Sequence, residues 1–279
     1  MIKVESVSGL RELLNDKKNI VFIPTMGNLH EGHLSLIDQA TLISRTVVVS
    51  IFINPAQFNS SQDLEKYPRT IGQDIALLRP YENVIIFVPQ LNEIYPETPN
   101  KNYDLPPIAN ELCGKYRPGH FNGVITVIDR LFNLIKPQAA IFGKKDYQQL
   151  YLIKEFSKVS YPTIEIIGMP TIRDGNGLAL SSRNNLFEKE QLIDISFFNQ
   201  SLTNIVHRAQ SGENYQESIL FGIDALNERG WLIDYIEVRR SSDLKVALPG
   251  DRHLIILGAA NYKNIRLIDN IEFCIDGSN

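Results

Sequence analysis

The chain has 279 residues, a length that suits one large domain or two unequal ones. Its 28 Lys and Arg against 32 Asp and Glu give a formal charge of −4, and hydrophobic and charged residues make up 43% and 22%, ordinary shares for a globular protein. A net-acidic chain lacks the broad electrostatic footprint that nucleic acid or an anionic membrane selects, so neither is expected as a partner; a local basic pocket for a small phosphate ligand stays open.

Asn19 to Pro24 reads as a short apolar strand, the residues from Leu34 (Leu36, Ile37, Ala40, Ile43) recur at helical spacing, and Thr46 to Ile53 returns to β-branched strand character. Strand, helix and strand within about 35 residues make a βαβ unit with parallel pairing and a right-handed crossover. The pattern repeats: a helix over Gly72 to Arg79 precedes a strand over Val84 to Val88, a helix over Asn122 to Ile135 precedes Ala139 to Phe142, and a helix from near Asp146 leads to Ile164 to Ile167. Continuous apolar strands between amphipathic helices describe a sheet covered on both faces. After Met169-Pro170 the texture changes: Asp174 to Gly177 is a turn cluster of hairpin type, followed by helices over Glu188 to Gln210 and Tyr215 to Arg229 and extended segments at Asp234 to Arg239, His253 to Ala259 and Ile265 to Ile268. Cys113 and Cys274 belong to no CxxC pair and are expected to be free thiols. No secretory signal is visible in MIKVESVSGL, and the longest apolar stretch, Val47 to Ile53, falls far short of the roughly 18 residues of a membrane span, so a reducing cytoplasm is the expected location.

The first strand-to-helix junction reads Pro24-Thr25-Met26-Gly27-Asn28-Leu29-His30-Glu31-Gly32-His33. In a doubly wound sheet ligands bind at the carboxyl ends of strands, and a helix start turns unpaired N–H groups and partial positive charge toward an anion. Gly27 and Gly32 permit close backbone approach, and His30 and His33, three apart, point the same way. Two imidazoles facing one phosphate chain can hydrogen-bond it and stabilise charge shifting between its oxygens. A surface turn with inert histidines is the other reading; a zinc site is disfavoured, because HEGH lacks the i, i+4 spacing of HExxH and no third ligand is identifiable.

Asn54 and Gln57 follow the second strand and would stand beside that loop if the strands are neighbours; uncharged amides suit a polar organic substrate, although Asn-Pro also simply starts a turn. Gly114 to Phe121, with Arg117 and His120, and Ile141 to Gln149 carry cations at helix or strand ends, where they meet phosphate or carboxylate or else water. Lys145-Asp146, at a strand's carboxyl end, favours the ligand. Leu180-Ser181-Ser182-Arg183-Asn184 supplies two hydroxyls and a fork of N–H donors for phosphate, or a helix cap.

Seven segments in order, PTMGNLHEGH, SIFINPAQF, YPRT, YRPGHFNGVITV, FGKKDYQQ, LALSSRN and RLIDNI, make the chain resemble the pantothenate synthetase (pantoate–β-alanine ligase) family from near residue 1 to Ile271. That family belongs to the nucleotidyltransferase superfamily, whose HIGH-type signature corresponds to His30-Glu31-Gly32-His33. The resemblance implies a Rossmann-like doubly wound parallel sheet over residues 1–169 that binds nucleotide and pantoate, a smaller C-terminal α+β lid domain over residues 170–279, and a homodimer. It implies two steps: pantoate's carboxylate attacks the α-phosphate of Mg²⁺-ATP to give pantoyl adenylate and pyrophosphate, then β-alanine's amine displaces AMP.

The same resemblance assigns residues. ATP would be met by Met26, Gly27, Asn28, Leu29, His30, Glu31, Gly32, His33, Gly143, Lys144, Lys145, Asp146, Ile172, Leu180, Ser181, Ser182 and Arg183, with His33 as proton donor and His30, Lys145 and Arg183 stabilising charge. Gln57 and Gln149 would hold pantoate, with Asn54, Arg117 and His120 around the same cavity. Lys144 stands where many members carry Glu. The Mg²⁺ ligands are not assigned. A nucleotidyltransferase with another acceptor and a non-catalytic nucleotide sensor are the competing readings, separated by whether pantoate triggers pyrophosphate release and whether turnover occurs.

Overall fold

Short β-branched runs separated by amphipathic helices fold into two units in the computed structural model, which describes residues 1–99 and 101–275. The first unit comprises Met1–Lys144 and Gln149–Pro170; the second comprises Lys145–Gln148 and Thr171–Asn279. With helices of eight or more residues numbered, the chain runs β1 (Ile2–Val4), α1 (Val7–Leu14), β2 (Ile20–Thr25), α2 (Glu31–Ile43), β3 (Thr46–Ile51), α3 (Ile71–Leu78), β4 (Val84–Phe87), α4 (His120–Ile135), β5 (Ala139–Gly143), α5 (Tyr147–Ser160) and β6 (Glu165–Met169). It then continues through α6 (Gln191–Gln210), α7 (Tyr215–Asn227), β7 (Leu232–Arg240), β8 (His253–Tyr262) and β9 (Ile265–Cys274).

In the first unit all six strands pair in parallel in the order β1-β4-β3-β2-β5-β6. Side chains alternate across this sheet. Phe22, Val48, Ile85, Phe87, Ala140 and Phe142 pack on one face with α1 and α4, while Val21, Ile23, Val47, Val49, Ile86 and Ile141 pack on the other with Leu36, Ile37 and Ala40 of α2. Burial on both faces is why the strands read as continuous apolar runs. Strand order reverses between β2 and β5, the place where a doubly wound sheet opens to a ligand.

One residue sharpens that opening. β2 pairs with β3 through Thr25↔Ile51, but its pairing with β5 stops at Phe22↔Ala140. Ile20 turns its carbonyl to Gln138, just ahead of β5, and Thr25 turns its own to Phe52, just past β3. By strand alternation, the backbone nitrogen of Pro24 faces β5, and proline has no hydrogen there to give.

In the second unit β7, β8 and β9 form an antiparallel sheet, with α6 packed on β8 and β9 and α7 packed on α6 and β7. Trp231 stacks between Phe198 and Tyr262 at ring separations of 5.2 and 4.9 Å in the core. The expected hairpin is present as an antiparallel bridge between Arg173 and Ala179, its turn held by Asp174 Oδ1, which accepts from the N–H groups of Asn176 and Leu178. Arg173 makes a two-pronged pair with Asp269, at 2.8 and 2.9 Å. Both cysteines are free thiols, and among the described residues no helix is long and apolar enough to cross a membrane.

Candidate active site

The loop after β2 bends through two left-handed residues, Gly27 at φ 81° and Asn28 at φ 51°. A Cβ on Gly27 would lie 3.0 Å from both Asp74 Oδ2 and Ile51 Cγ2, so glycine meets a steric as well as a conformational demand. Thr25 Oγ1 accepts from the Gly27 N–H and donates to the Ser50 carbonyl. From α3, the buried carboxylate of Asp74 accepts from the N–H groups of Asn28 at 3.1 Å and Leu29 at 2.8 Å, with the Thr70 hydroxyl at 3.2 Å from both oxygens. Asp74 was not among the sequence candidates. Its one signal is its place four residues after the Thr of YPRT, one helical turn on.

His30 and His33 do face the same way, with ring centroids 4.1 Å apart. The expectation of unpaired N–H groups at the start of α2 needs correction. Gly32 N–H donates to His30 Nδ1 at 3.2 Å and His30 N–H donates to His33 Nδ1 at 3.4 Å, so the two imidazoles cap their own helix. Helix ends satisfy exposed donors with nearby side chains whenever they can. A ring nitrogen that accepts carries no proton, so each ring in its neutral form keeps its N–H at Nε2.

β2 and β3 are adjacent, and Gln57 stands beside the loop: its Nε2 lies 3.2 Å from Met26 Sδ. Asn54 starts the 3₁₀ turn Pro55–Gln57, accepting through Oδ1 from the Ala56 N–H and donating through Nδ2 to Gln57 Oε1 and to the Gly123 carbonyl, both at 3.0 Å. Arg117 and His120 approach from the start of α4. His120 Nδ1 donates to the Gln57 carbonyl at 2.8 Å and Arg117 Nη2 donates to it at 3.2 Å, while Arg117 Nη1 donates to His120 Nε2 at 3.0 Å. The helix begins two residues earlier than its apolar period suggests, because Gly119 takes a left-handed conformation ahead of His120. Gly143 ends β5, Lys144 opens the short 3₁₀ turn that follows, and Gln149 lies half-buried on the first turn of α5.

In the second unit the carbonyl of Lys145 accepts from Asn270 Nδ2 at 2.8 Å, and Asp146 is exposed. Ile172 accepts from the Leu180 N–H. Ser181 Oγ accepts from the Arg183 N–H at 3.2 Å, so one of the two expected hydroxyls shapes its own turn. Ser182 and Arg183 are half-buried there.

Known proteins match the chain over nearly its whole length. The profile of the pantoate-beta-alanine ligase family matches residues 2–272. A pantothenate synthetase of Methylobacillus flagellatus is 43% identical over 98% of this chain and 98% of its own, and one of Neisseria meningitidis is 41% identical over 96% and 98%. Among solved structures, a pantothenate synthetase from Thermus thermophilus superposes with a TM-score of 0.92 at 36% identity over 97% of this chain and 99% of its own. A pantoate-beta-alanine ligase from Francisella tularensis, complexed with beta-gamma ATP and beta-alanine, superposes at 0.83 with 34% identity over 97% of each. The parallel sheet with its imidazole pair, the seven ordered motifs and these full-length matches agree: the chain belongs to the pantoate–β-alanine ligase family of enzymes.

Proposed function

We propose that the chain condenses pantoate with β-alanine at the expense of ATP, in the two steps the family resemblance implies. A pantoate carboxylate oxygen attacks the α-phosphorus and the bond to pyrophosphate breaks. The β-alanine nitrogen then attacks the acyl carbon and the bond to AMP breaks. The observation that carries this reading is the meeting of two kinds of group on one loop: paired imidazoles at the carboxyl end of β2 and, against Met26 of the same loop, the amide of Gln57. Phosphoryl transfer needs positioning and charge stabilisation more than a protein nucleophile, and imidazole Nε2–H groups supply both.

In this reading His30 and His33 address the phosphates, His33 acting as proton donor, and Lys145 and Arg183 add fixed positive charge. Gln57 and Gln149 hold pantoate. Mg²⁺ would enter on the ATP oxygens, as a hard cation prefers; among the described residues no group of three or more His, Cys, Asp or Glu stands together that could hold a metal ion. The resemblance extends the reading to a cytoplasmic homodimer. The test is isotope exchange: with ATP, Mg²⁺ and pantoate but no β-alanine, labelled pyrophosphate should enter ATP, and omitting pantoate should stop it. Exchange that needs β-alanine, or that runs without pantoate, would exclude the adenylate route.

A further inference from the structure

Amide side chains can present either a donor or an acceptor to a ligand, and the network around Gln57 decides which. Asn54 is fully buried. Two of its partners have a polarity that cannot be reversed: the Ala56 N–H donates to Oδ1, and the Gly123 carbonyl accepts from Nδ2. The second Nδ2 hydrogen therefore needs an acceptor at Gln57, which is Oε1 at 3.0 Å. The remaining lone pair of Asn54 Oδ1 is taken by the Tyr95 hydroxyl, also at 3.0 Å. Burial holds the Tyr95 hydroxyl protonated well above the ordinary tyrosine range, and its ring packs edge-on against Phe52. Asn54 thus uses both donors and both acceptor sites on the protein, leaving none for a ligand.

The backbone of the same turn is equally constrained. A Cβ at Gly123 would fall 2.0 Å from the Ala56 carbonyl oxygen, so α4 reaches Asn54 only because residue 123 has no side chain. With Oε1 held by Asn54, Gln57 directs its Nε2 to the side of Met26, donating one hydrogen to Sδ and keeping the other for a ligand.

We propose that Asn54 and Tyr95 are positioning residues that lock the Gln57 amide with an N–H toward the substrate, so that this part of the site selects a carboxylate or hydroxyl oxygen and disfavours an ammonium. The proposal rests on the pantoate reading given above. It also gives Asn54 a different role from the direct substrate contact expected from the sequence.

The experiment uses the full-length chain and steady-state kinetics of pantoate-dependent pyrophosphate exchange. Asn54→Asp puts an acceptor where Nδ2 was, which turns the Gln57 amide over. The KM for pantoate should rise by roughly tenfold or more while that for ATP stays within about twofold, since a site built around a hydrogen bond discriminates strongly when its polarity is wrong. Tyr95→Phe removes one neutral hydrogen bond and should raise the pantoate KM on the order of fivefold, again without the ATP KM. Equal rises in both KM values, or a fall in maximal rate alone in a folded variant, overturns the proposal.

If Asn54→Asp does not fold, Tyr95→Phe decides, read also by side-chain ¹⁵N NMR without substrate. The Asn54 and Gln57 amide resonances should both shift and lose exchange protection; an unchanged Gln57 amide refutes the lock. Because that readout needs no substrate, a wild type that fails pantoate-dependent exchange would sink the functional reading while the amide orientation is judged separately.

Discussion

Asp74→Asn is the sharpest probe of the nucleotide loop. The carboxylate is 1% exposed and receives the N–H groups of both Asn28 and Leu29. In the variant one oxygen becomes an NH₂ group, so one of these N–H groups faces a donor, and the other keeps a neutral partner instead of a charged one. Hydrogen bonds to charged groups contribute about 1.5–3 kcal/mol and neutral ones about 0.5–1.5, so the loop loses about 2–4 kcal/mol. That is less than the roughly 5–15 kcal/mol stability of a folded domain, so the chain should fold with a loosened loop. At 1.4 kcal/mol per factor of ten, amide hydrogens 28 and 29 should exchange roughly 30- to 700-fold faster, measurable by mass spectrometry on the peptide that contains them. Because the left-handed bend precedes both imidazoles, pantoate-dependent pyrophosphate exchange should fall on the order of 10²-fold, the usual result of misplacing catalytic groups by about an ångström. Unchanged protection of residues 28 and 29 with exchange activity within twofold of wild type would refute this account of the loop.

His33→Ala should slow adenylation by roughly 10²-fold or more, the typical loss when one preorganised transition-state donor goes, with folding retained by circular dichroism; near-wild-type pyrophosphate release would remove His33 from the chemistry. Lys145→Ala and Arg183→Ala should each weaken ATP binding or its transition state, and wild-type ATP affinity by calorimetry should fall with added salt as screened charge contacts do. Salt-independent affinity would argue against a phosphate clamp built on these cations. Asp269→Asn should unpair Arg173 and destabilise the second unit by about 2–3 kcal/mol, since Asp269 is buried and its hydrogen bonds are charge-assisted. Fluorescence of Trp231, the chain's single tryptophan and part of that unit's core, would report the lowered urea midpoint, and no shift would mean that the pair is not stabilising.

Local chemistry made most of this architecture readable. β3 is buried at every position, so its apolar run announced a central strand, and the loop with its glycines and histidines followed from the same periodicity. β1 leaves no readable pattern because it has only three residues, one of them lysine, and is defined by pairing with β4. α1 carried a usable signal in Ser6, which caps Gly9, and in the Leu10 and Leu14 spacing. In the site, the adjacency of Met26 and Gln57 was inferable from neighbouring strands. The roles of Asp74 and Tyr95 were not, since an acidic residue in a helix and a tyrosine after one are surface residues by default; partners more than 40 positions away pull them inward. The grouping of Lys145–Gln148 with the second unit is likewise decided by contacts to Ser241, Asn270 and Glu272, far along the chain.

Pro24 carries a consequence for how such a sheet could be rebuilt. A parallel sheet held together by a full ladder is a continuous wall, and a cleft in it needs a place where two strands stop zipping while each stays bonded on its other side. β2 does this with β3 intact beside it, and β5 does it with β6 paired to Gly143↔Met169. The absence of one backbone hydrogen at residue 24 marks that place. A residue with an N–H at this position would offer the ladder another rung, and each further rung would draw β2 and β5 together at the end where the imidazole loop begins. Anyone transplanting this loop into another parallel sheet would therefore need to carry the proline with it.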